Sequence, residues 1–447
     1  MNESVEQAMQ APMHTPMEAH LAHTIQAAGG WIGFERFMHE ALYAPGLGYY
    51  AASLPKLGLS RQDGSDFVTA PELSPFFGTC LAAQIAQLLQ ATQTDTVVEF
   101  GAGTGKLAEQ IISSLQNAHP GLLRHYVIVD VSGHLRGVQQ TRLAAFGDVL
   151  QWAAELPDVL NGVLLGNEVL DAMPVKLLQR QNGAWNERGV SLDENLFLGM
   201  GDGAQANLGQ PFPRHSRESG NLPYTIKNQT QLSSFDAVKH DHTQQNSAKS
   251  YMDSRFRGND GGRRQPHQPL FVWQDRPSNW QPPCVVEGQH DYLTEIHPQA
   301  EAFISSLAER LQRGAMLFID YGFGEREYYH PQRYMGTLMC HQGHLADPDP
   351  LAAVGQKDIT AHINFTGIAL AAQHAGLDVL GYSTQGRFLI NCGLLDLLQS
   401  ASLPQRVQAQ KLIYEHEMGE LFKVIAIGKP CEVDLLGFAD GDRMHTL

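Results

Sequence analysis

Val97 to Leu107 reads VVEFGAGTGKL: an apolar run passes through Glu99 into Gly101, Gly103 and Gly105, then into helix-forming residues. Glycines at alternate positions let a backbone turn tightly and approach a ligand closely, with the N–H groups of the next helix behind it. The rest of the chain repeats the same alternation. DTVVEF (Asp95 to Phe100), HYVIVDVS (His125 to Ser132), GVLLGNEVL (Gly162 to Leu170), AMLFIDYGF (Ala315 to Phe323) and ELFKVIAIGK (Glu420 to Lys429) read as strands. KLAEQIISSLQ, HLRGVQQTRLAAF, AEAFISSLAERLQRG and FTGIALAAQHAG read as the intervening helices. Short Val/Ile/Leu runs without polar alternation, separated by helices, predict a parallel sheet buried on both faces. The expected class is α/β, doubly wound.

Three ligand classes use a glycine turn of this kind. A phosphate-binding P-loop requires Gly-x-x-x-x-Gly-Lys-Ser/Thr, but Lys106 precedes Leu107 and no glycine lies five residues before Gly105. The dinucleotide fingerprint requires its third glycine one residue later than Gly105. Glu-x-Gly-x-Gly-x-Gly instead resembles motif I of class I S-adenosylmethionine (AdoMet) methyltransferases. Asp130, at the end of the second strand and 25 residues beyond Gly105, is the expected partner of the ribose hydroxyls. A packed strand–turn–helix without ligand is the alternative.

Composition narrows the partners. The 447 residues carry 31 Lys+Arg against 47 Asp+Glu, a net charge of −16, which disfavours nucleic acid and anionic membrane surfaces. No apolar run approaches the ~20 residues of a membrane helix, so no membrane insertion is expected. Five scattered cysteines, with no Cys-x-x-Cys, point to a reducing cytoplasm. Cys340 with His330, His341, His344 and His362 lacks the spacing of a structural zinc site, and no metal is expected.

The chain divides into a mobile tail (1–20), an N-terminal helical cap contributing to the cofactor site (21–90), a first half-core (91–201), a polar insertion (202–268) and a second half-core with substrate-side elements (269–447). In the cap, Ile32, Phe34, Phe37, Met38 and Leu42 fall at helical spacing, and a turn with Tyr43, Tyr49 and Tyr50 follows. A second helix, Pro75 to Gln90, has Ser74 as N-cap and Pro75 as its first residue. Between Pro211 and Gln268, nine Lys/Arg outnumber five Asp/Glu, so the remainder carries −20. A structureless loop that long is best read as a disordered insertion.

Longer stretches carry a more specific resemblance: ALYAPGLGYYA, GSDFVTAPELSPFFG, VVEFGAGTG, LLGNEVLDAMPV, FIDYGFGEREYYHPQRYMGTLMCHQGH, KDITAHINF and MGELFKVIAIGK. In that order the chain resembles the MidA-like family of class I methyltransferases, relatives of the mitochondrial complex I assembly protein arginine methyltransferase. The resemblance implies a Rossmann-like sheet with helices on both faces, AdoMet as cofactor, and arginine of a complex I core subunit as acceptor. It also implies that the segment with Thr69 and Glu72 folds over the methionine end of AdoMet; helix capping is the alternative for Glu72.

The chemistry of the acceptor points to carboxylates. An arginine guanidinium presents a planar fork of donors, which paired carboxylates hold while drawing charge from the attacking nitrogen. Glu168 and Asp171 follow the third core strand, at the sheet edge where open α/β sheets bind ligands, with Asn167 beside them for substrate or cofactor. Solvated acids complementing a helix dipole are the alternative. Asp320 and Tyr321 end another core strand and point to the same crevice, unless their turn is architectural. Asp358 and His362, four apart at a helix start, either face the acceptor, His362 taking its proton, or form a local helix pair. Two rival functions stay open: an assembly chaperone without catalysis, and a small-molecule methyltransferase. For oligomeric state, MGELFKV is either an edge strand that pairs two copies in a homodimer or the terminal strand of the sheet.

Overall fold

The computed structural model describes residues 15–52, 68–130, 133–153, 155–193, 270–429 and 433–447. The insertion expected at 202–268 and the first fourteen residues of the expected tail lie outside them.

Helix α1 (Pro16–Ala27) opens the described chain, so residues 16–20 are helix rather than tail. Thr15 and Glu18 cap it reciprocally: Glu18 N–H donates to Thr15 Oγ1 at 3.2 Å and Thr15 N–H to Glu18 Oε2 at 2.7 Å. That capping box, with Pro16 at the first position, starts a helix in a stretch without apolar periodicity. Ile32 belongs to a short strand, β1 (Trp31–Gly33), and α2 (Phe34–Tyr43) begins after it. Helices α3 (Ala70–Leu73) and α4 (Pro75–Thr92) follow, and Ser74 Oγ accepts the Phe76 N–H at 3.3 Å as the N-cap of α4.

The core then runs β2 (Thr96–Phe100), α5 (Lys106–Ala118), β3 (His125–Val129), α6 (Gly133–Arg142), β4 (Leu150–Ala153) and β5 (Leu160–Asn167). Next come β6 (Lys176–Gln181), β7 (Ala184–Leu192), β8 (Phe271–Pro277), β9 (Tyr292–Ile296), α7 (Pro298–Arg310) and β10 (Leu311–Phe323). The later elements include β11 (Met339–Gln342), β12 (Leu345–Asp347), β13 (Asp358–Thr360), β14 (Ile363–Asn364), α8 (Phe365–His374), β15 (Asp378–Thr384) and β16 (Phe422–Gly428).

The main sheet has the order β15-β16-β10-β5-β2-β3-β4, with β14 added beside β10. Along that path every strand is parallel except β16, which pairs antiparallel with both β10 and β15. The expected parallel sheet is therefore mixed. All seven residues of β16 are buried, and a strand covered on both faces is apolar whichever way it runs, so its composition does not reveal its direction. Because β16 has a neighbour on each side, MGELFKV offers no free edge for pairing.

Successive residues supply the two faces of the sheet. Val97, Val163, Leu165, Leu317 and Ile319 pack with residues of α4 and α5. Val98, Leu164, Met316 and Phe318 pack with Phe303, Ile304 and Leu307 of α7 and Ile368 of α8. The chain reverses its outward progress between β2 and β5, so the loops leaving these neighbours stand on either side of a crevice at the carboxyl ends of the strands.

A second sheet, β1-β7-β6-β9 with β8 beside β7, is antiparallel and was not expected. Its signal is Asn182-Gly183, a two-residue turn with φ of 52° and 79° that closes the β6–β7 hairpin; Asn-Gly favours this turn because both residues tolerate positive φ. At the far end of β7 the Asp193 N–H donates to Leu270 O at 2.9 Å. The chain thus leaves and re-enters this sheet at adjacent positions. A small third sheet, β12-β11-β13, stands beside the crevice.

Candidate active site

The crevice has a cofactor side built on the glycine turn. Gly101, Gly103 and Gly105 have φ of 61°, 54° and 80°, a left-handed region that L side chains rarely adopt. A Cβ on Gly101 would also meet Val169 Cγ2 at 3.3 Å. Gly105 caps α5, so that helix points its free N–H groups at the turn. Asp130 follows β3, and Gln139 of α6 ties it to the turn: Gln139 Nε2 donates to Asp130 Oδ2 at 2.8 Å and to Gly103 O at 3.0 Å. The Gln139 oxygen accepts the Trp152 indole N–H at 3.1 Å, which fixes the amide orientation.

Glu72 reaches the same turn from α3, where Thr104 Oγ1 donates to Glu72 Oε1 at 2.5 Å. Thr69 is the N-cap of α3 without a side-chain capping bond. Glu99, expected at the cofactor, lies behind the turn instead. It is buried within the sheet, Tyr126 donates to it at 2.8 Å, and burial pushes its carboxyl up to about 8. Its strand position points it into the core, one residue before the crevice opens.

The acceptor side is built where β5 and β10 end. Glu168 takes the left-handed conformation (φ 53°), and its N–H donates to Ile319 O at 2.9 Å. A non-glycine residue held there is backbone strain stored at the edge of a site. Asp320 stabilises this turn. Its Oδ2 accepts the N–H groups of Val169 (3.2 Å), Leu170 (2.9 Å) and Asp171 (3.2 Å), and its Oδ1 accepts that of Tyr321 at 3.0 Å. Asp320, expected to bind substrate, gives both its oxygens to backbone, in a nest of consecutive amides.

Asp171 is different. Tyr321 Oη donates to its Oδ2 at 2.5 Å, while its Oδ1 is buried with no partner. Asn167 Nδ2 donates to Glu168 Oε1 at 3.1 Å, and Asn167 Oδ1 is likewise buried without a partner. Burial pushes Asp171 up to about 6; burial and the neighbouring Asp171 push Glu168 up to about 8. The groups hydrogen-bonded to Glu168, Asp171 and Asp320 are an amide, a phenol and backbone N–H groups, all neutral. Carboxyl groups brought this close without a cation lower their energy when one enters.

Asp358 and His362 do not form a helix pair. Asp358 begins β13 opposite His341, because Ile359 and Thr360 favour a strand, and α8 starts only at Phe365. Asp358 is paired instead with Tyr50, whose hydroxyl lies 2.9 and 3.0 Å from its two oxygens. His362 packs edge-on to Tyr321 at 5.1 Å between ring centroids, with Nδ1 buried and unpartnered. Burial, with Arg333 and Lys423 nearby, lowers its pKa to about 4, so it is neutral near pH 7. The structure therefore brings Glu168, Asp171, Tyr321, Asp358 and His362 together. Gln139, Thr104, Tyr43 and Tyr50 were missed; of these only the tyrosine-rich turn gave a signal.

Among the described residues no group of three or more His, Cys, Asp or Glu side chains is arranged to hold a metal. No described helix is long and apolar enough to cross a membrane.

Comparison with known proteins agrees with this geometry. A sequence family described as S-adenosyl-L-methionine-dependent methyltransferases matches residues 80–383. The protein arginine methyltransferase NDUFAF7 of Danio rerio is 25% identical, over 91% of this chain and 86% of that protein. Its Homo sapiens counterpart is 25% identical, over 92% and 83%. Among solved structures, a superfamily member from Burkholderia thailandensis bound to S-adenosyl-homocysteine is 39% identical with a TM-score of 0.77. The match covers 98% of this chain and all of that one.

Proposed function

The chain belongs to this family of AdoMet-dependent methyltransferases, and from that premise we propose that it methylates arginine in a protein. The observation that carries the reading is Asp171 Oδ1, a buried carboxylate oxygen just beyond β5 without a hydrogen-bond partner. A buried acceptor is destabilising until a donor arrives. The matching donor is a cationic fork, and the arginine activity in the names of the NDUFAF7 relatives supports the same class. A complex I subunit is the acceptor that the sequence resemblance implies, and the scattered cysteines support action in a reducing cytoplasm.

The cofactor side fits AdoMet. The turn carries no side chain at Gly101, Gly103 or Gly105, the N-terminus of α5 follows it, and Gln139 ties Asp130 to Gly103. The turn and Asp130 would hold the nucleoside, with Glu72, Thr69 and Asn167 at the methionine end. AdoMet supplies the electrophilic methyl group when bound. The chain's own part is alignment, and holding two reactants in line contributes on the order of 7–11 kcal/mol. Asp171 and Glu168 would orient the guanidinium. Tyr321 holds Asp171, and Asp320 holds the turn on which both acids sit. Loss of a proton from the methylated nitrogen leaves Asp171, and neutral His362 beyond Tyr321, as the nearby acceptors.

The test incubates purified protein with labelled AdoMet and arginine-containing acceptors. Label on arginine, abolished by Asp171→Ala in a protein that still binds S-adenosyl-homocysteine, is the expected result. Label confined to lysine or to small molecules would replace this reading.

A further inference from the structure

The segment YAPGLGYY, which runs from the last residue of α2 into the turn after it, has no place in the chemistry above, yet its side chains reach the acceptor side of the crevice. Tyr43 and Tyr50 stack with centroids 5.5 Å apart and planes inclined by 19°. Tyr43 Oη donates to Ala172 O at 2.9 Å, the carbonyl directly after Asp171. Tyr50 Oη is within hydrogen-bond distance of both oxygens of Asp358. Asp358 and Asp171 are 3% and 5% exposed, and burial, followed by the charges of these two acids, holds both phenols well above the usual range. Ala361, three residues beyond Asp358, donates its N–H to Asp171 O at 3.0 Å, so the two acids lie in one small space with the tyrosine stack beside it.

We propose that the Tyr43–Tyr50 stack is the fixed wall of the acceptor pocket and that Tyr50 is a positioning residue, holding Asp358 beside Asp171 so that the two carboxylates grip one planar cation. The inference rests on the cationic acceptor proposed above and adds Asp358 to Asp171 and Glu168 as a third carboxylate that faces it. Three observations support it. A phenol bonded to both oxygens of a carboxylate restricts the rotation of that carboxylate. Aromatic faces attract guanidinium and ammonium groups, most strongly away from water. Asp171 Oδ1, buried and unpartnered, marks where the donor is missing. The two acids come from separate elements, Asp171 after β5 and Asp358 at the start of β13. An arginine bound there would meet both carboxylates and the tyrosine pair beside them.

The experiment measures acceptor KM, AdoMet KM and kcat for Tyr50→Phe and Asp358→Asn in the full chain. S-adenosyl-homocysteine affinity serves as the check on folding. Tyr50→Phe keeps the ring and removes the hydroxyl; acceptor KM should rise roughly tenfold, with AdoMet KM within about twofold. Asp358→Asn keeps the shape and removes the charge, and should raise acceptor KM further. A purely structural role would shift both KM values together or neither, and that overturns the proposal. Should the wild type label no arginine, methylguanidinium and methylammonium chloride are titrated into the protein bound to S-adenosyl-homocysteine. Saturable binding that weakens in Tyr50→Phe supports the wall; no saturable binding of either cation to wild type overturns it.

Discussion

Tyr321 donates its hydroxyl to one oxygen of Asp171 at 2.5 Å and leaves the other oxygen buried and bare. A single neighbour on the next strand thus both fixes the orientation of the carboxylate and defines what is missing from it. Asp171→Asn keeps the shape but removes the charge. It is expected to weaken acceptor binding by about 2–5 kcal/mol, the range for losing one member of a buried charged contact. The kcat/KM for acceptor measures this, and AdoMet affinity should stay near wild type.

Asp320 should behave as a structural residue. Asp320→Ala leaves the N–H groups of Val169, Leu170 and Asp171 without their acceptor. Destabilisation on the order of 3 kcal/mol is expected from unsatisfied buried donors, seen as a lower denaturant midpoint. If Asp320→Ala unfolds at the wild-type midpoint while only acceptor KM rises, Asp320 touches substrate after all.

The cofactor side has a sharper probe in Gly103, whose φ of 54° is hostile to a β-branched residue. Gly103→Val should strain the turn by roughly 1–3 kcal/mol and abolish AdoMet binding by calorimetry. Gln139→Ala releases Asp130 from the turn and should weaken AdoMet about tenfold, with acceptor KM unchanged.

Activity and stability should respond oppositely to pH. Asp171 and Glu168 are raised to about 6 and about 8. Only their ionised forms attract a cation, so kcat/KM for acceptor should climb as pH rises from 6 to 8. In the folded chain without ligand, these acids keep protons that the unfolded chain has already released. Stability is therefore lost as pH rises from the ordinary carboxylate range toward 8. Glu168→Gln should flatten the upper part of both curves; unaltered profiles would show that Glu168 does not titrate there.

Local order made part of this legible. Val97 to Leu107 announces a strand, a left-handed glycine turn and a helix because each residue's own conformational limits demand it. The Asn182-Gly183 hairpin is equally local, since both residues accept positive φ, but the parallel strand–helix pattern around it masks its signal. Asp358 and His362 misled for a related reason: a spacing of four suggests a helix, but sheet pairing with β11 decided the matter.

Taken alone, the order of residues determined the alternation of strands and helices, the glycine turn with its acid at Asp130, and the cluster of polar residues after β5. Each depends on side chains near one another along the chain. The pairing of Asp171 with Tyr321, of Asp358 with Tyr50, and the commitment of Asp320 to three backbone amides were decided only by the tertiary structure. The partners in these pairs are separated by some 150 to 308 residues. Nothing along the chain specifies which of several acids will be left without a donor when distant strands close a crevice around them.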